Sequence, residues 1–260
     1  MQNLLTSREN ETVKNACKIG QSKALRQSEK CFMAEGLKLS LDLAATLAPL
    51  KVFYTAAALD AKPQIASLGG VHYEINDSVA QKLADTKTPQ GLFVIFEMPC
   101  ATLDSIKQNG RYVCLENVQD PANVGTMLRS AAAFGFDGAV LSKGCADAFS
   151  PKAVRASMGA VGKIDIIQEV DMPDAVNALT AKNIAVYAAA LQNAVALDEA
   201  VPQEGQGVAV VIGNEGNGLT DECIAAADKT VRIPMSPNVE SLNAAAAASV
   251  LLCHFRRAGL

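Results

Sequence analysis

The chain has 260 residues, half of them hydrophobic and 19% charged, with no Trp and a formal net charge of −4. No apolar run reaches the roughly 18 residues that a membrane span needs, and the polar N-terminus lacks the apolar core of a secretory signal. Seven scattered Cys residues without a CxxC pair argue against a disulfide framework, and two isolated His residues argue against a zinc site or a His-driven hydrolase. We therefore expect a cytoplasmic, metal-free globular protein.

Basic residues outnumber acidic ones only near the N-terminus. Residues 1–30 contain six Lys or Arg side chains against three Glu side chains, whereas the rest of the chain has an acidic excess. Any contact with nucleic acid is therefore expected to involve this end of the chain. A solvated helix face that binds nothing is the alternative, and charge alone favours it.

Residues 1–97 alternate between predicted helices and strands. Capping residues and helical spacing predict helices at residues 7–20, 37–47, 63–68 and 77–84, the last capped by Asp77. Short apolar runs predict strands at residues 30–34, 52–56, 71–75 and 91–96. This length suffices for a small α/β domain, and the mixed polarity of residues 98–110 predicts a linker.

The pattern restarts in residues 111–260, which we expect to form a second domain. Apolar runs predict strands at residues 112–115, 138–141, 164–167, 184–189, 208–212 and 230–235. Helices are predicted from a cap at Asp120 or Asn123 to Phe134, from Ser150-Pro151 onward, and over residues 171–181 and 242–257. Repeated strand–helix units predict an α/β fold with a mostly parallel sheet flanked by helices, which binds ligands at the carboxyl ends of its strands.

Three polar loops follow predicted strands, at residues 117–129, 213–218 and 236–243. The glycines at positions 213, 216 and 218 allow a ligand to approach the backbone. Their spacing is not that of a GxGxxG fingerprint, and no phosphate-binding Lys accompanies them. Backbone and small apolar side chains suit an adenine and a ribose better than a triphosphate. The alternative interpretation, a nucleotide-dependent oxidoreductase, is supported by these glycines alone.

Taken singly, the polar residues of these loops have ordinary structural explanations. Asn123 is as suited to capping a helix as to catalysis. Arg129 is typical of an exposed helix face, and Glu215 of an exposed loop. Residues 241–243 are typical of a helix start.

Taken together, the loops resemble the three motifs of the SpoU-type branch of the SPOUT RNA methyltransferases. The first motif is NVQDPANVGTMLR at residues 117–129, the second is IGNEGNGL at residues 212–219, and the third joins IPM at residues 233–235 to ESLN at residues 240–243. Residues 152–159 (KAVRASMG) are similar to the segment between the motifs. Residues 32–36 (FMAEG) and 88–91 (TPQG) are similar to the ribosomal-protein-like substrate-binding domain of this family, so the resemblance spans nearly the whole chain.

This resemblance implies a fold, a cofactor and a set of site residues. The second domain would contain a C-terminal trefoil knot, which the rule that chains do not thread loops would never suggest. S-adenosylmethionine would bind in the knot, held largely by backbone groups. The residues implied to contact it are Gly213, Ile233 and Leu242, with Leu191 and Ser241 as weaker candidates. The residues implied to catalyse methylation of a ribose 2′-oxygen are Arg129, Asn123, Glu215 and Asn243.

The role of Arg129 allows two interpretations. A guanidinium has a pKa above about 12 and is normally always charged, so we favour a role in which Arg129 clamps an RNA phosphate and stabilises the developing alkoxide. In the alternative, phosphate-assisted deprotonation makes Arg129 the base. Asn123 and Asn243 would orient these groups, and Glu215 would anchor either Arg129 or an Asn.

The resemblance also implies RNA rather than DNA as the partner, and a homodimer through the C-terminal domain. The N-terminal domain favours ribosomal RNA, most simply 23S RNA, while a tRNA target and an antibiotic-resistance role stay open. A non-catalytic RNA-binding assembly factor is the alternative from another class. The four intact candidate catalytic residues argue against it.

Overall fold

The computed structural model describes residues 3–239 and 241–256, and it contains two compact units. The first unit joins the chain up to Pro99 with Phe149–Gly162, and the second joins Cys100–Ala148 with the chain from Lys163 onward. The predicted domain boundaries at residues 98–110 stay a prediction. Residues 149–162, which we expected in the second domain, are grouped with the first unit.

The described ranges contain strands and α-helices in a mostly alternating order. The strands are β1 (Asn3–Leu5), β2 (Cys31–Glu35), β3 (Pro49–Tyr54), β4 (Val71–Ile75), β5 (Leu92–Glu97), β6 (Arg111–Leu115), β7 (Gly138–Ser142), β8 (Asp165–Val170), β9 (Ile184–Ala189), β10 (Val195–Ala196), β11 (Gly207–Ile212) and β12 (Lys229–Arg232). The helices are α1 (Glu11–Gln21), α2 (Lys23–Glu29), α3 (Leu37–Leu43), α4 (Ala56–Ala61), α5 (Asp77–Leu83), α6 (Pro121–Ala133), α7 (Pro151–Ser157), α8 (Met172–Thr180), α9 (Asp221–Ala226) and α10 (Ala244–Phe255).

The first unit is built on a mixed five-stranded sheet in the order β1-β4-β3-β5-β2. Strand β5 runs antiparallel to both of its neighbours, and the other pairs are parallel. Helix α7 packs on β2 within this unit, where the rings of Phe32 and Phe149 lie 5.0 Å apart. Arg155 of α7 donates to Asp85 through Nη2 at 2.5 Å.

Two of the basic residues near the N-terminus have structural roles. Arg26 is 3% exposed, and its Nη1 donates to the carbonyl oxygens of Ile19 (2.7 Å) and Gly20 (2.9 Å) at the end of α1. Lys14 pairs with Glu9 at 3.0 Å and with Glu11 at 3.5 Å. The basic excess that the sequence offered for nucleic-acid contact is therefore partly committed to the fold.

Several predicted boundaries are wrong for local reasons. The cap of α5 is Asn76, whose side chain accepts from the amide of Val79, and Asp77 is the first helical residue. Helix α3 ends at Leu43, four residues earlier than predicted. Helices α2, α4 and α9 were not predicted; each is seven residues or shorter and buries a single residue, so no apolar period announces it.

The second unit confirms the predicted α/β fold with a parallel sheet. Its seven strands lie in the order β10-β12-β9-β11-β6-β7-β8, and every described pair is parallel. Strand β11 is buried along its whole length, as its β-branched sequence GVAVVI requires in a sheet covered on both faces. Helices α6 and α10 pack together, as do α8 and α9. The trefoil knot stays a prediction.

Caps and prolines set the helix starts in this unit. Asp120, not Asn123, caps α6 by accepting from the amide of Ala122, and Pro121 follows as the first helical residue. Ser150 and Pro151 begin α7 as predicted. Asn243 caps α10, whose predicted end at Arg257 lies outside the described residues.

No described helix is long and apolar enough to cross a membrane. Of the seven cysteines, five are buried as expected for small hydrophobic residues, whereas Cys100 is exposed and Cys253 is partly exposed.

Candidate functional site

The parallel pairing of β6 with β11 brings two of the predicted motif loops together. Leu115 lies opposite Ile212 at the carboxyl ends of the two strands. One residue further, the amide of Glu116 donates to the carbonyl oxygen of Ile212 at 2.8 Å. The loops that follow therefore leave the same edge of the sheet side by side, although about 90 residues separate them in sequence.

Internal hydrogen bonds hold the glycine loop that follows β11 in one shape. The backbone groups of Asn214 and Gly218 bond to each other at 3.0 and 2.9 Å. The side-chain oxygen of Asn214 accepts from the amides of Gly216 and Asn217, and its Nδ2 donates to the carbonyl of Asn117 at 2.8 Å. At Gly213 a Cβ would overlap the backbone of Gly218, so only glycine fits there.

A chain of side-chain hydrogen bonds joins three of the four predicted catalytic residues. Asn123 donates through Nδ2 to Oε1 of Glu215 at 2.9 Å, and Asn243 donates through Nδ2 to Oδ1 of Asn123 at 3.2 Å. The Oδ1 atom of Asn243 accepts from the amides of Ala245 and Ala246 in the first turn of α10, at 3.0 and 3.2 Å. Every donor in this chain points toward Glu215, so the orientation of both amide groups is determined. Whether these residues catalyse stays a prediction.

Glu215 is an ionised anchor rather than a base. Burial raises its pKa, but the hydrogen bond from Asn123 and those from neighbouring backbone amides outweigh burial and hold the pKa below its usual value. The amide of Gln119 contributes one of these bonds, to Oε2 at 3.4 Å. A carboxylate with a lowered pKa removes protons poorly at neutral pH. Glu215 anchors an Asn, one of the two roles expected for it.

Arg129 does not join this chain of hydrogen bonds. It lies on α6, two turns beyond the start, and its side chain is exposed. Among the described residues, its guanidinium has no hydrogen-bond or ion-pair partner. The group is therefore available to a ligand or to a second chain.

Glu116 forms hydrogen bonds to Thr220, just after the glycine loop, and the sequence alone did not single it out. This side chain is 4% exposed. It accepts from the amide and the hydroxyl of Thr220, both at 2.8 Å. Burial and the neighbouring Glu116 charge together raise the pKa of Cys223 to about 12. The available signal was an acidic residue directly after an apolar strand run, where a lone buried carboxylate needs hydrogen-bond donors.

Four of the five predicted cofactor residues line one apolar cleft of about 190 Å³ at the carboxyl ends of β9 and β12. These residues are Leu191, Ile233, Ser241 and Leu242. Leu191 is 73% exposed and Leu242 is 41% exposed. Large apolar side chains that face water around a cleft mark a ligand site. Gly213 lies outside this cleft, and its contact with a cofactor stays a prediction.

The cleft fits the adenosyl part of S-adenosylmethionine. Its walls are mostly apolar, with small side chains such as Ala189, Ala190 and Ala247 beside larger ones, and Arg232 also lines it. A mostly apolar lining suits a flat ring read by main-chain groups better than it suits a triphosphate. In the part of the chain that the structure describes, no group of three metal-ligating side chains comes together.

Comparisons with known proteins decide the family. The SpoU rRNA Methylase family matches residues 110–253, and the MRM3-like substrate binding domain matches residues 10–94. The chain belongs to the SpoU rRNA methylase family. As a member of this family it is an S-adenosylmethionine-dependent RNA 2′-O-methyltransferase, as the motifs predicted.

Individual relatives of this SpoU methylase cover most of the chain. The 23S rRNA (guanosine(2553)-2'-O)-methyltransferase RlmP of Bacillus subtilis is 34% identical over 71% of the chain and 72% of its own length. The mitochondrial rRNA methyltransferase 3A of Danio rerio is 32% identical over 92% of the chain and 66% of its own length. The AdoMet-bound rRNA methyltransferase structure from Sinorhizobium meliloti is 32% identical, with a TM-score of 0.88 over 98% of the chain and 97% of its own.

Substitutions of Asn243 can separate its role as the cap of α10 from its role as a hydrogen-bond donor to Asn123. Asn243→Asp keeps an oxygen for the amides of α10 but has no N–H for Asn123. We expect a melting temperature close to that of the wild type and a loss of roughly 100-fold in methyl transfer. Asn243→Ala should also lower stability by about 1 kcal/mol, because the cap is lost. Wild-type methylation by Asn243→Asp would show that Asn243 is only a cap.

A substitution in the cleft tests where the cofactor binds. Ala247→Leu fills the cleft from α10, whereas Ala246→Leu adds the same group to an exposed neighbour. Calorimetry with S-adenosylmethionine should detect binding to the Ala246→Leu protein and little or none to the Ala247→Leu protein. Equal affinities in two folded variants would move the cofactor elsewhere.

Proposed function

We propose that this SpoU methylase acts on the large-subunit ribosomal RNA. The names of its relatives support this target, since RlmP is a 23S rRNA enzyme and the zebrafish relative is a mitochondrial rRNA enzyme. The match to a substrate-binding domain at residues 10–94 supports a structured RNA. The observation that supports methyl transfer at this site is the Asn243–Asn123–Glu215 chain beside an apolar cleft at the same edge of the sheet.

The two parts of the site would hold the two reactants. The apolar cleft receives the adenosyl group, and S-adenosylmethionine supplies an electrophilic methyl group on a sulfonium when it is bound. The polar chain of hydrogen bonds faces the ribose. The ribose 2′-oxygen would attack this methyl carbon, displacing the sulfur, and the hydroxyl proton would pass to solvent.

Among the predicted catalytic residues, Arg129 is the one that would stabilise negative charge in the transition state. Glu215 is a weak base because its pKa is lowered, and the amides of Asn123 and Asn243 do not accept protons at neutral pH. In our proposal Arg129 holds the phosphate next to the acceptor ribose and stabilises the developing alkoxide. Removal of the proton by Arg129 after phosphate assistance is the alternative mechanism.

Arg129 also suggests how two copies of the chain come together. Its exposed guanidinium has no partner among the described residues, and Val250 on the neighbouring helix α10 exposes an apolar side chain. We propose a homodimer through the second unit that brings Arg129 to a complete site. We also propose the trefoil knot around the cofactor and a cytoplasmic location. A fully active monomer in sedimentation would contradict the dimer.

Variants of Arg129 test its catalytic role. Arg129→Ala should reduce methyl transfer to ribosomal RNA by roughly 100-fold or more, since one preorganised donor is lost. Its affinity for S-adenosylmethionine should stay close to that of the wild type, because the cleft is untouched. Arg129→Lys keeps the charge but loses the planar fork, so it should recover only part of the rate.

Turnover by Arg129→Ala at the wild-type rate would remove Arg129 from the mechanism. A matched loss of cofactor binding would assign it to the cofactor instead.

A further inference from the structure

A second cleft opens at the carboxyl ends of β6 and β11, apart from the apolar one. It measures about 420 Å³ and is lined by polar groups. Its polar lining includes Gln119, Asn217 and Asp221. The volume accommodates a nucleobase with part of its ribose.

Three of these side chains are uncommitted. Gln119, Asn217 and Asp221 are exposed, and their side chains make no hydrogen bond or ion pair with the described residues. By contrast, the side chain of Asn214 in the same loop makes three hydrogen bonds to backbone groups. The loop is thus held rigid by one amide while other polar groups are presented to the cleft.

The cleft does not suit a phosphate, because no Lys or Arg lines it and Asp221 is acidic. A guanine base does fit this chemistry. Its Watson–Crick edge offers two adjacent N–H donors, N1–H and N2–H, which one carboxylate accepts together, and its O6 acceptor matches an amide N–H. Adenine offers an acceptor at N1 and would face the Asp221 carboxylate unfavourably.

The cleft also adjoins the predicted catalytic residues. The amide of Gln119 donates to Glu215, and Gln119 lines the cleft. Glu215 itself lies between Asn214 and Gly216 in the loop that supplies Asn217. A base in the cleft would therefore place its ribose near Asn123 and Glu215.

We propose that this cleft binds the base of the acceptor nucleotide and that Asp221 selects guanosine. The inference rests on the proposed function and deepens it, since it names the nucleotide that the same site methylates. Gln119 and Asn217 would contact the remaining polar atoms of the base.

The test uses the full chain, S-adenosylmethionine carrying a labelled methyl group, and ribosomal RNA fragments that contain the mapped acceptor. Fragments carry guanosine, inosine or adenosine at that position; inosine lacks only the N2 amine. The test variant is Asp221→Asn. The matched control is Glu222→Gln, because Glu222 is the neighbouring acidic residue and does not line the cleft. Calorimetry of each variant with S-adenosylmethionine accompanies the kinetics.

We expect the wild type and Glu222→Gln to prefer guanosine over inosine and inosine over adenosine. Asp221→Asn should lower kcat/KM on guanosine by roughly 10- to 100-fold, the range of one bidentate pair, and bring guanosine and inosine close together. Its affinity for S-adenosylmethionine should not change.

Three results would overturn the inference. One is an acceptor that maps to a nucleotide other than guanosine. Another is an unchanged guanosine-to-inosine ratio in Asp221→Asn. The third is a loss of cofactor affinity in Asp221→Asn, which would assign the cleft to the amino group of S-adenosylmethionine. A wild-type protein that binds the cofactor but methylates no ribosomal RNA would instead refute the proposed function, and this inference with it.

Discussion

The parallel register between β6 and β11 is the constraint on which the rest of the site depends. Because Leu115 lies opposite Ile212, both strands end at the same level. The buried Glu116 then reaches Thr220, and the Asn214 side chain reaches the carbonyl of Asn117. These crossed bonds fasten one loop to the other. Without these bonds, nothing would hold Asn123 within hydrogen-bond distance of Glu215.

The site separates an apolar region from a polar one along a single sheet edge. The cleft at β9 and β12 offers mostly apolar walls, while the loops after β6 and β11 offer amides and the carboxylates of Glu215 and Asp221. The start of α10 connects them, since Ser241 and Leu242 line the apolar cleft and Asn243 begins the polar chain. Methyl transfer from a cofactor with a flat adenosine part to a ribose hydroxyl requires an apolar region and a polar region next to each other.

Periodicity predicted the elements that bury a continuous apolar face. The strand at residues 184–189 was predicted end to end, and the second sheet is parallel as predicted, although its strand order was not predicted. Short helices such as α2 and α9 escaped, because capping and tertiary contacts rather than an apolar stripe stabilise them.

The sequence named residues that the structure brings together, but it did not predict how they are arranged. Motif resemblance brought Asn123, Glu215 and Asn243 together, whereas the direction of their hydrogen bonds depends on strand register and on the α10 cap. The buried Glu116 and the internal bonds of Asn214 carried no motif signal of their own. The charge pattern misled in one respect, since Arg26 is buried and binds carbonyl groups at the end of α1.

Mapping of 2′-O-methyl groups across large-subunit ribosomal RNA tests the account most directly. Cells that contain the protein, cells that lack it, and cells that carry only the Arg129→Ala form would be compared. The account predicts one ribose methyl group that disappears without the protein and is not restored by the Arg129→Ala form. Identical ribosomal RNA methylation in all three would contradict it.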